Sequence, residues 1–398
     1  MQRRTFMLST AALAAGLGRS AFAADEPIKV GVLITTTGPY APWGKRYQQG
    51  VDLYMEQHNG KDGNPKIEVV YSGDVGGDNP PRARQLAQDF IVRDHVKILG
   101  GLEFTTTNLA MADLISQAKI PFVIFNSATS VVVDKSPYYV RACFNLWPGG
   151  VIAAKYSTDQ KWMHGTIISA DYAPGGDAID SFTYGMKQNG GDIYDVIKVP
   201  LGTTDFSSYY QRIADKKPNV LYVFMPGGPM SIGMAKGFAD RGWGKQGMGY
   251  IGGGVDEVDL PAMGDAALGL NSVLNYAPFV DNPTNKAFRA AFAKKYGDKL
   301  PQDLPNFATV DAYDGMHLMF EMLKKTNGKG DGMQMVDAVK GFSWESPRGP
   351  VTIDPKTREP IQNFYVTRVE KKDGILANVP IKTYEHVKDP WHEMHPPA

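Results

Sequence analysis

Short apolar runs alternate with stretches of helical periodicity from residue 28 onward. Residues 28–34 are rich in β-branched side chains, which is typical of a strand buried on both faces of a sheet. From about Gly44, apolar side chains recur at helical spacing until Asn59 and Gly60 end the pattern. The alternation continues to residue 125 and predicts a parallel sheet covered by helices on both faces.

The same alternation resumes after residues 126–148, which we interpret as a loop. Each half begins with a strand, then a turn containing aromatic residues, glycine and proline, then a helix, so we predict two α/β lobes of similar architecture. The last quarter predicts two long helices and a β-hairpin whose strands lie near 349–353 and 363–369. The tail after Asp373 has weak patterning, and we expect it to wrap the surface.

The N-terminus has the three parts of an export signal. Arg3 and Arg4 precede a short apolar stretch at 7–17, and Ala21 and Ala23 flank Phe22 in a small-x-small cleavage pattern. The apolar stretch is shorter than the roughly 20 residues of a membrane-spanning helix, which disfavours a membrane anchor. We therefore predict a signal peptide over 1–23 and a periplasmic mature protein. The two arginines fit either a twin-arginine or a general secretory signal.

Charge and cysteine content exclude several classes of protein. The chain has 42 Lys and Arg against 42 Asp and Glu, so no basic surplus is available for nucleic acid. Cys143 is the only cysteine, which excludes a disulfide framework. No phosphate-binding glycine loop or nucleophile elbow is present, and we predict neither a cofactor nor an enzyme. His392 and His395 are one residue short of the His-Glu-x-x-His spacing, so no metal site is predicted.

Hydroxyl and aromatic side chains are concentrated in the loops that follow the predicted strands. Ligands of open parallel sheets bind outside the carboxyl ends of the strands. Threonines at a helix N-terminus can hold a carboxylate, and aromatic rings can enclose an organic body, although each residue taken alone could equally cap a helix or cover the core. We therefore predict a ligand cleft. The candidate residues are Tyr40, Trp43, Phe104, Thr105, Thr106, Ser127, Thr129 and Tyr172.

The order and spacing of several motifs resemble the Leu/Ile/Val-binding protein family, the extracytoplasmic solute-binding proteins of ABC importers. The similarity covers nearly all of the chain after residue 27. The matching segments are 28–32, 37–44, 96–101, 105–110, 120–122, 127–129, 139–141, 171–175 and 348–354.

This resemblance implies two doubly wound parallel-sheet lobes joined by a hinge of three crossovers, with a small ligand enclosed between them. Residues 24–147 would begin the first lobe and 148–275 would form the second. Residues 276–398 would return to complete the first lobe and would supply the crossovers and the C-terminal hairpin. The family's partners are a small organic ligand and the membrane permease of the transporter, and we expect a monomer.

The resemblance also assigns the pocket. It places the aromatic residue of the first loop at Trp43, the carboxylate-binding hydroxyls around 104–106, further contacts at Ser127 and Thr129, and the second-lobe tyrosine at Tyr172. The family's serine position falls nearest Phe104 or Thr105.

One position departs from the amino-acid binders of this family. Those proteins have an acidic residue where this chain has Gly254, and Asp256 could replace it only if the loop bends. The loop that contains Gly228 also lacks the tyrosines of amino-acid binders. Because an unpaired buried ammonium costs several kcal/mol, we expect a carboxylate without an amine, such as an aromatic or aliphatic acid. A branched-chain amino-acid-like compound and an amide remain alternatives.

The predicted function is therefore that of a periplasmic substrate-binding component of an ABC importer. Closure of the two lobes on an organic carboxylate would present the loaded form to the permease. The alternative is a ligand-sensing module that presents its occupied form to a membrane receptor.

Overall fold

A five-stranded parallel sheet forms the centre of the first lobe in the computed structural model, which describes residues 26–297, 304–372 and 374–396. Its strands are β1 (Ile28–Leu33), β2 (Ile67–Tyr71), β3 (Ile98–Gly101), β4 (Phe122–Ile124) and β5 (Tyr139–Arg141). They lie in the order β2-β1-β3-β4-β5, and each neighbouring pair is parallel. The helices of this part of the chain are α1 (Ala41–His58), α2 (Pro80–Val92) and α3 (Thr105–Ala118).

These elements form close to where the sequence predicts them. Val30 and Val32 of β1 have no exposed surface, as expected for a strand covered on both faces. Helix α2 begins at Pro80, and the side chain of Asn79 caps it by accepting a hydrogen bond from the Arg82 N–H. Helix α1 begins earlier than predicted, because the first turn accommodates a proline at Pro42 without losing a hydrogen bond.

The second lobe repeats the strand order of the first. Its strands are β6 (His164–Ala170), β7 (Asp192–Val199), β8 (Val220–Phe224), β9 (Gly249–Gly252) and β10 (Asn271–Leu274). The order β7-β6-β8-β9-β10 is parallel throughout. Its helices are α4 (Leu146–Asp159), α5 (Ala173–Gln188), α6 (Ser207–Lys216), α7 (Pro229–Asp240) and α8 (Leu260–Met263).

The C-terminal region contributes to both lobes. Its elements are α9 (Pro283–Tyr296), α10 (Phe307–Lys325), α11 (Gly332–Val339), β11 (Ser343–Ser346), β12 (Gly349–Ile353), β13 (Pro360–Lys372), β14 (Ile375–Val387) and α12 (Pro390–Met394). Helix α10 packs along α1 of the first lobe, and a Cβ at Gly50 would lie 2.1 Å from the Thr309 carbonyl oxygen. Strand β13 instead pairs antiparallel with β10 and extends the sheet of the second lobe.

The chain therefore passes between the lobes three times. The first crossover, 142–145, joins β5 to α4, and the second, 275–282, joins β10 to α9. The third is the start of β13, because Pro360 and Ile361 pair with β12 whereas residues 365–368 pair with β10. The predicted fold class, two doubly wound parallel-sheet lobes, is confirmed.

Two segments differ from the sequence-based expectation. The tail after Asp373 does not simply wrap the surface, because β14 pairs antiparallel with β13. Pro380 in this strand argues against a strand by sequence, but it lies at a register irregularity opposite Thr367, where proline is tolerated. Residues 126–148 are not all loop, because they contain a 3₁₀ helix over Ser130–Lys135 and the three-residue strand β5.

The predicted signal peptide, 1–23, lies outside the described residues. Within the part of the chain that the structure describes, no helix combines the length and the apolar character needed to cross a membrane.

A buried ionic network connects the crossovers. Arg348 pairs with Asp311 at 2.7 Å and with Asp314 at 2.9 Å, and all three side chains are buried. The same guanidinium donates to the Ala142 carbonyl oxygen of the first crossover at 2.5 Å. Asn275 of the second crossover donates to Asp311 at 2.8 Å. This network thus joins helix α10 to two of the three chain segments that link the lobes, through Arg348 to the first and through Asp311 to the second.

Replacement of Arg348 by Met is expected to lower the free energy of unfolding by about 3–5 kcal/mol, because Asp311 and Asp314 would remain buried without their counter-charge. Urea unfolding of wild type and variant measures this difference. Arg93→Met is the matched control. The Arg93 side chain is 69% exposed, so its ion pairs contribute less than about 1 kcal/mol to stability. Equal effects of the two substitutions would contradict the structural role of Arg348.

Candidate functional site

A cavity lies between the lobes, at the carboxyl ends of the strands of both sheets. Its volume is about 100 Å³, the same order as the roughly 150 Å³ cavities that accommodate a benzene ring. The first lobe contributes loops after β3 and β4 and the start of α1, and the second contributes loops after β6, β8 and β9. This position is where open parallel sheets bind ligands. The cavity is therefore suited to a small molecule.

Aromatic rings form much of the cavity wall. Phe307 of α10 packs against Trp43 of α1, with ring centroids 5.2 Å apart, and edge-on against Phe144 at 5.3 Å. The rings of Tyr40 and Phe104 meet edge to face at 4.8 Å on the first-lobe side. On the second-lobe side, the rings of Tyr172 and Phe224 are parallel at 6.1 Å. These walls present flat apolar surface from both lobes to an enclosed molecule.

A polar corner lies at the N-terminus of α3. Phe104 is the N-cap residue and offers no side-chain acceptor to the first-turn N–H groups, so the positive end of the helix is available to an anion. Thr105 lines the cavity here, and its hydroxyl lies 3.2 Å from that of Thr129 and accepts from Ser127 at 3.3 Å. Among the described residues that line the cavity there is no lysine or arginine. The corner can therefore bind a carboxylate through neutral donors.

The lobes touch across the cleft through a glycine and an indole ring. Gly227 follows β8 of the second lobe, and a Cβ at this position would lie 3.0 Å from the Trp43 ring of the first lobe. Gly227 also has φ +85°, which a larger side chain would adopt only with strain. The absence of a side chain thus allows the two lobes to approach closely over the cavity.

Residues 27–374 match the model of the periplasmic binding protein family. The Leu/Ile/Val-binding protein homolog 6 of Brucella melitensis is 39% identical over 384 residues, which cover 96% of this chain and 97% of the relative. The chain belongs to the periplasmic binding protein family.

Two solved structures are also similar to this family member. A solute-binding protein of an ABC transporter from Rhodopseudomonas palustris HaA2, in complex with p-hydroxybenzoic acid, is 40% identical with a TM-score of 0.88. Another from R. palustris BisB5, in complex with 3,4-dihydroxybenzoic acid, is 39% identical with a TM-score of 0.85. Each comparison covers 92% of this chain and 99% of the other. The predictions of a solute-binding protein of the ABC-transporter type, and of binding rather than catalysis, are confirmed.

Most of the predicted site residues of this periplasmic binding protein line the cavity. These are Tyr40, Trp43, Phe104, Thr105, Tyr172, Gly254 and Asp256.

The other four predicted residues lie outside the cavity lining. The Thr106 hydroxyl turns away and donates to Asp78. Ser127 and Thr129 lie behind Thr105 and contact its hydroxyl. The N–H of Gly228 donates to Asp259 at 2.7 Å. Ser127 and Thr129 can therefore act on a ligand only through Thr105, and the ligand-binding roles of the predicted residues remain predictions.

Several lining residues were not predicted from the sequence. Phe307 comes from α10, far along the chain, and no local motif marks it. Glu103 follows β3, where its position just before the predicted hydroxyl cluster was a usable signal. Its carboxylate accepts from the N–H of Thr35 at 2.8 Å and from the hydroxyl of the same residue at 2.9 Å. Burial outweighs these hydrogen bonds and raises the pKa of Glu103 to about 7.

Three buried acidic residues follow β9. Asp256 lines the cavity. Its Oδ1 accepts hydrogen bonds from the Val258 N–H at 2.9 Å and from the Asn306 side chain at 3.0 Å. Its Oδ2 has no hydrogen-bond partner among the described residues. Glu257 accepts from Asn378 at 3.0 Å. Burial raises the pKa of Asp256. Burial and the nearby charge of Asp256 also raise the pKa of Glu257 and the pKa of Asp259, which reaches about 7. Burial therefore makes the protonated form of each of these carboxyls more favourable than it is in water.

The substitution Glu257→Gln tests whether this cluster holds its protons in the folded state. At low pH both forms are neutral at this position, and the variant should match the wild type. As the pH rises above the ordinary glutamate pKa of 4.5, the wild type loses stability because its raised pKa makes ionisation costly only in the folded state. We expect Glu257→Gln to be more stable by about 2 kcal/mol near pH 8, measured by urea unfolding at both pH values. A variant less stable than wild type near pH 8 would contradict this.

Proposed function

We propose that this protein binds a small aromatic carboxylic acid of the hydroxybenzoic acid class in the periplasm and delivers it to the permease of an ABC transporter. One observation carries the proposal: an aromatic-walled cavity between the lobes has the uncapped N-terminus of α3 and the Thr105 hydroxyl at its edge. The two solved relatives with p-hydroxybenzoic and 3,4-dihydroxybenzoic acid support it.

The aromatic walls account for the ring of such a ligand. Trp43 and Phe307 supply the first-lobe side of the cavity, and Tyr172 and Phe224 supply the second-lobe side. Enclosure of one ring removes on the order of 100 Å² of ligand surface from water, which contributes about 3 kcal/mol. Offset and edge-on ring contacts add to this and favour a flat ring over an aliphatic chain of equal area.

The corner at α3 accounts for the carboxylate. A helix N-terminus with free N–H groups and an adjacent hydroxyl binds an anion without a counter-cation, which matches the lack of lysine and arginine among the described lining residues. Asp256 Oδ2, which has no hydrogen-bond partner among the described residues, is available to a ring hydroxyl.

The loop after β9 disfavours an amino acid. A Cβ at Gly254 would lie 2.5 Å from the Ser231 Oγ, and Gly254 has φ +86°. This position therefore has no room for the acidic side chain expected in the amino-acid binders. Because burial raises the pKa of Asp256, this carboxyl is also a poor counter-charge for an ammonium group.

Delivery follows from the hinge. The ligand contacts both lobes only when they close, so binding shifts the population toward the closed form. The three crossovers permit this motion, and the permease would recognise the closed pair of lobes. We propose that the mature chain acts as a monomer after removal of the signal peptide over 1–23, with no role in nucleic-acid binding.

A calorimetric titration of the refolded mature protein with a matched ligand panel tests the ligand class. We expect 4-hydroxybenzoate, 3,4-dihydroxybenzoate and benzoate to bind, because each combines a ring with a carboxylate. Cyclohexanecarboxylate lacks the flat ring and benzamide lacks the charge, so both should bind at least about tenfold more weakly. L-leucine should give no measurable heat. Tight binding of L-leucine with none of the benzoates would overturn the assignment.

The substitution Thr105→Val tests the carboxylate corner. Loss of the hydroxyl should weaken benzoate-class binding by about 1–2 kcal/mol, since one hydrogen bond to a charged group is removed at nearly constant volume. The adjacent Thr106→Val is the matched control, because its hydroxyl bonds to Asp78 and lies outside the cavity lining. Equal loss in both variants would place the effect in the stability of α3 rather than in ligand contact.

A further inference from the structure

A second group of ligating side chains lies outside the lining of the ligand cavity, where helix α12 meets the loop 354–359 between β12 and β13. Glu359 ends this loop, Asp389 is the N-cap residue of α12, and His392 lies on this helix. One potential metal-ligating atom from each of the three lies within 4.8 Å of the others, and all three residues are buried. They also line a cavity of about 250 Å³, which leaves space for water or an ion beside them.

The hydrogen bonds around this group leave one carboxylate oxygen without a partner. Glu359 Oε2 pairs with Arg141 at 2.7 Å and accepts from Asn145 at 3.2 Å, whereas Glu359 Oε1 has no partner among the described residues. A buried carboxylate oxygen without a partner is costly and calls for a proton donor or a cation. Glu359 is 1% exposed, so bulk solvent does not satisfy it.

The imidazole of His392 is oriented by two carboxylates. Its Nδ1 lies 2.5 Å from Asp389 Oδ2, and its Nε2 lies 3.2 Å from Asp134 Oδ2. A metal-bound histidine commonly donates its second ring N–H to a carboxylate, which fixes the ring and strengthens the ligand. When Nδ1 of His392 binds the ion, Asp134 is placed to accept the hydrogen bond from Nε2–H.

We propose that Glu359, Asp389 and His392 form a binding site for a divalent transition metal, with Zn²⁺ as the best-matched ion. One imidazole and two carboxylates with a water in the fourth position suit Zn²⁺. Asp134 and Glu359 already interact with the guanidinium groups of Arg141 and Arg358, so the ion would replace the proton that His392 shares with Asp389 rather than supply a missing charge. Lys356 and Lys388 also line the cavity, but both are exposed to solvent.

Such an ion would fasten the C-terminal helix to the hinge. Glu359 directly precedes the third crossover at the start of β13, and Asp134 lies in the first-lobe 3₁₀ segment Ser130–Lys135. The metal would thus join helix α12 directly to the residue before the third crossover, and to the first lobe through His392 and Asp134. None of the three residues lines the ligand cavity, although Asn145, which does, donates to Glu359. The proposal does not rest on the proposed function.

Zinc titration of the untagged, chelator-treated protein, followed by calorimetry and thermal unfolding, tests the proposal. We expect one Zn²⁺ per chain and a higher unfolding temperature when zinc is present. His392→Ala and Asp389→Asn should each weaken zinc binding at least tenfold. Asp389→Asn keeps the N-cap acceptor for Trp391 N–H, so it provides a second variant should His392→Ala fail to fold.

His395→Ala is the matched control, because His395 lies on the same segment but is exposed and outside the three-residue group. It should bind zinc as the wild type does. The proposal is overturned if the wild type shows no stoichiometric binding, or if His395→Ala loses binding that His392→Ala and Asp389→Asn retain.

Discussion

The buried pairing of Arg348 with Asp311 and Asp314 is the interaction on which the two-lobe arrangement depends. A guanidinium enclosed among carboxylates and a backbone carbonyl has a narrow range of allowed geometries, because a displaced partner would leave a buried charge unpaired. This fixes α10 against the crossovers, while Gln362 donates to the Cys143 carbonyl oxygen and links the third crossover to the first. The hinge is therefore ordered where the crossovers meet α10, and the two lobes move about this ordered region.

The location of the cavity follows from this fixed arrangement of the crossovers. With the crossovers held side by side, the carboxyl ends of both parallel sheets face the same gap, and the loops after the strands become its walls. Phe307 reaches the gap because α10 is fixed to the crossovers, and it packs between Trp43 of α1 and Phe144 of the first crossover. The same network thus supports both the hinge and part of the wall that a ligand would touch.

The sequence predicted the local features of this molecule better than the distant ones. Strand β1 and the Pro80 start of α2 were predictable because burial and capping are encoded within a few residues. Strand β14 was missed because only two of its thirteen residues are buried and it contains Pro380, so its strongest constraint is pairing with β13. Thr105 was found at a helix N-terminus, but the sequence could not show that Thr106 turns toward Asp78. Phe307 was missed because only the tertiary fold brings it to the cavity.

The contact between Trp43 and Gly227 has a consequence for how the protein can be observed. The indole is 8% exposed and lies against the backbone of the opposite lobe, so it senses the dielectric of the interface rather than that of water. When the lobes separate, the indole loses this cover and its emission should shift to longer wavelength. Trp43 is therefore an intrinsic fluorescence probe of lobe closure, and the interconversion of open and closed forms can be followed by stopped-flow fluorescence without an attached dye.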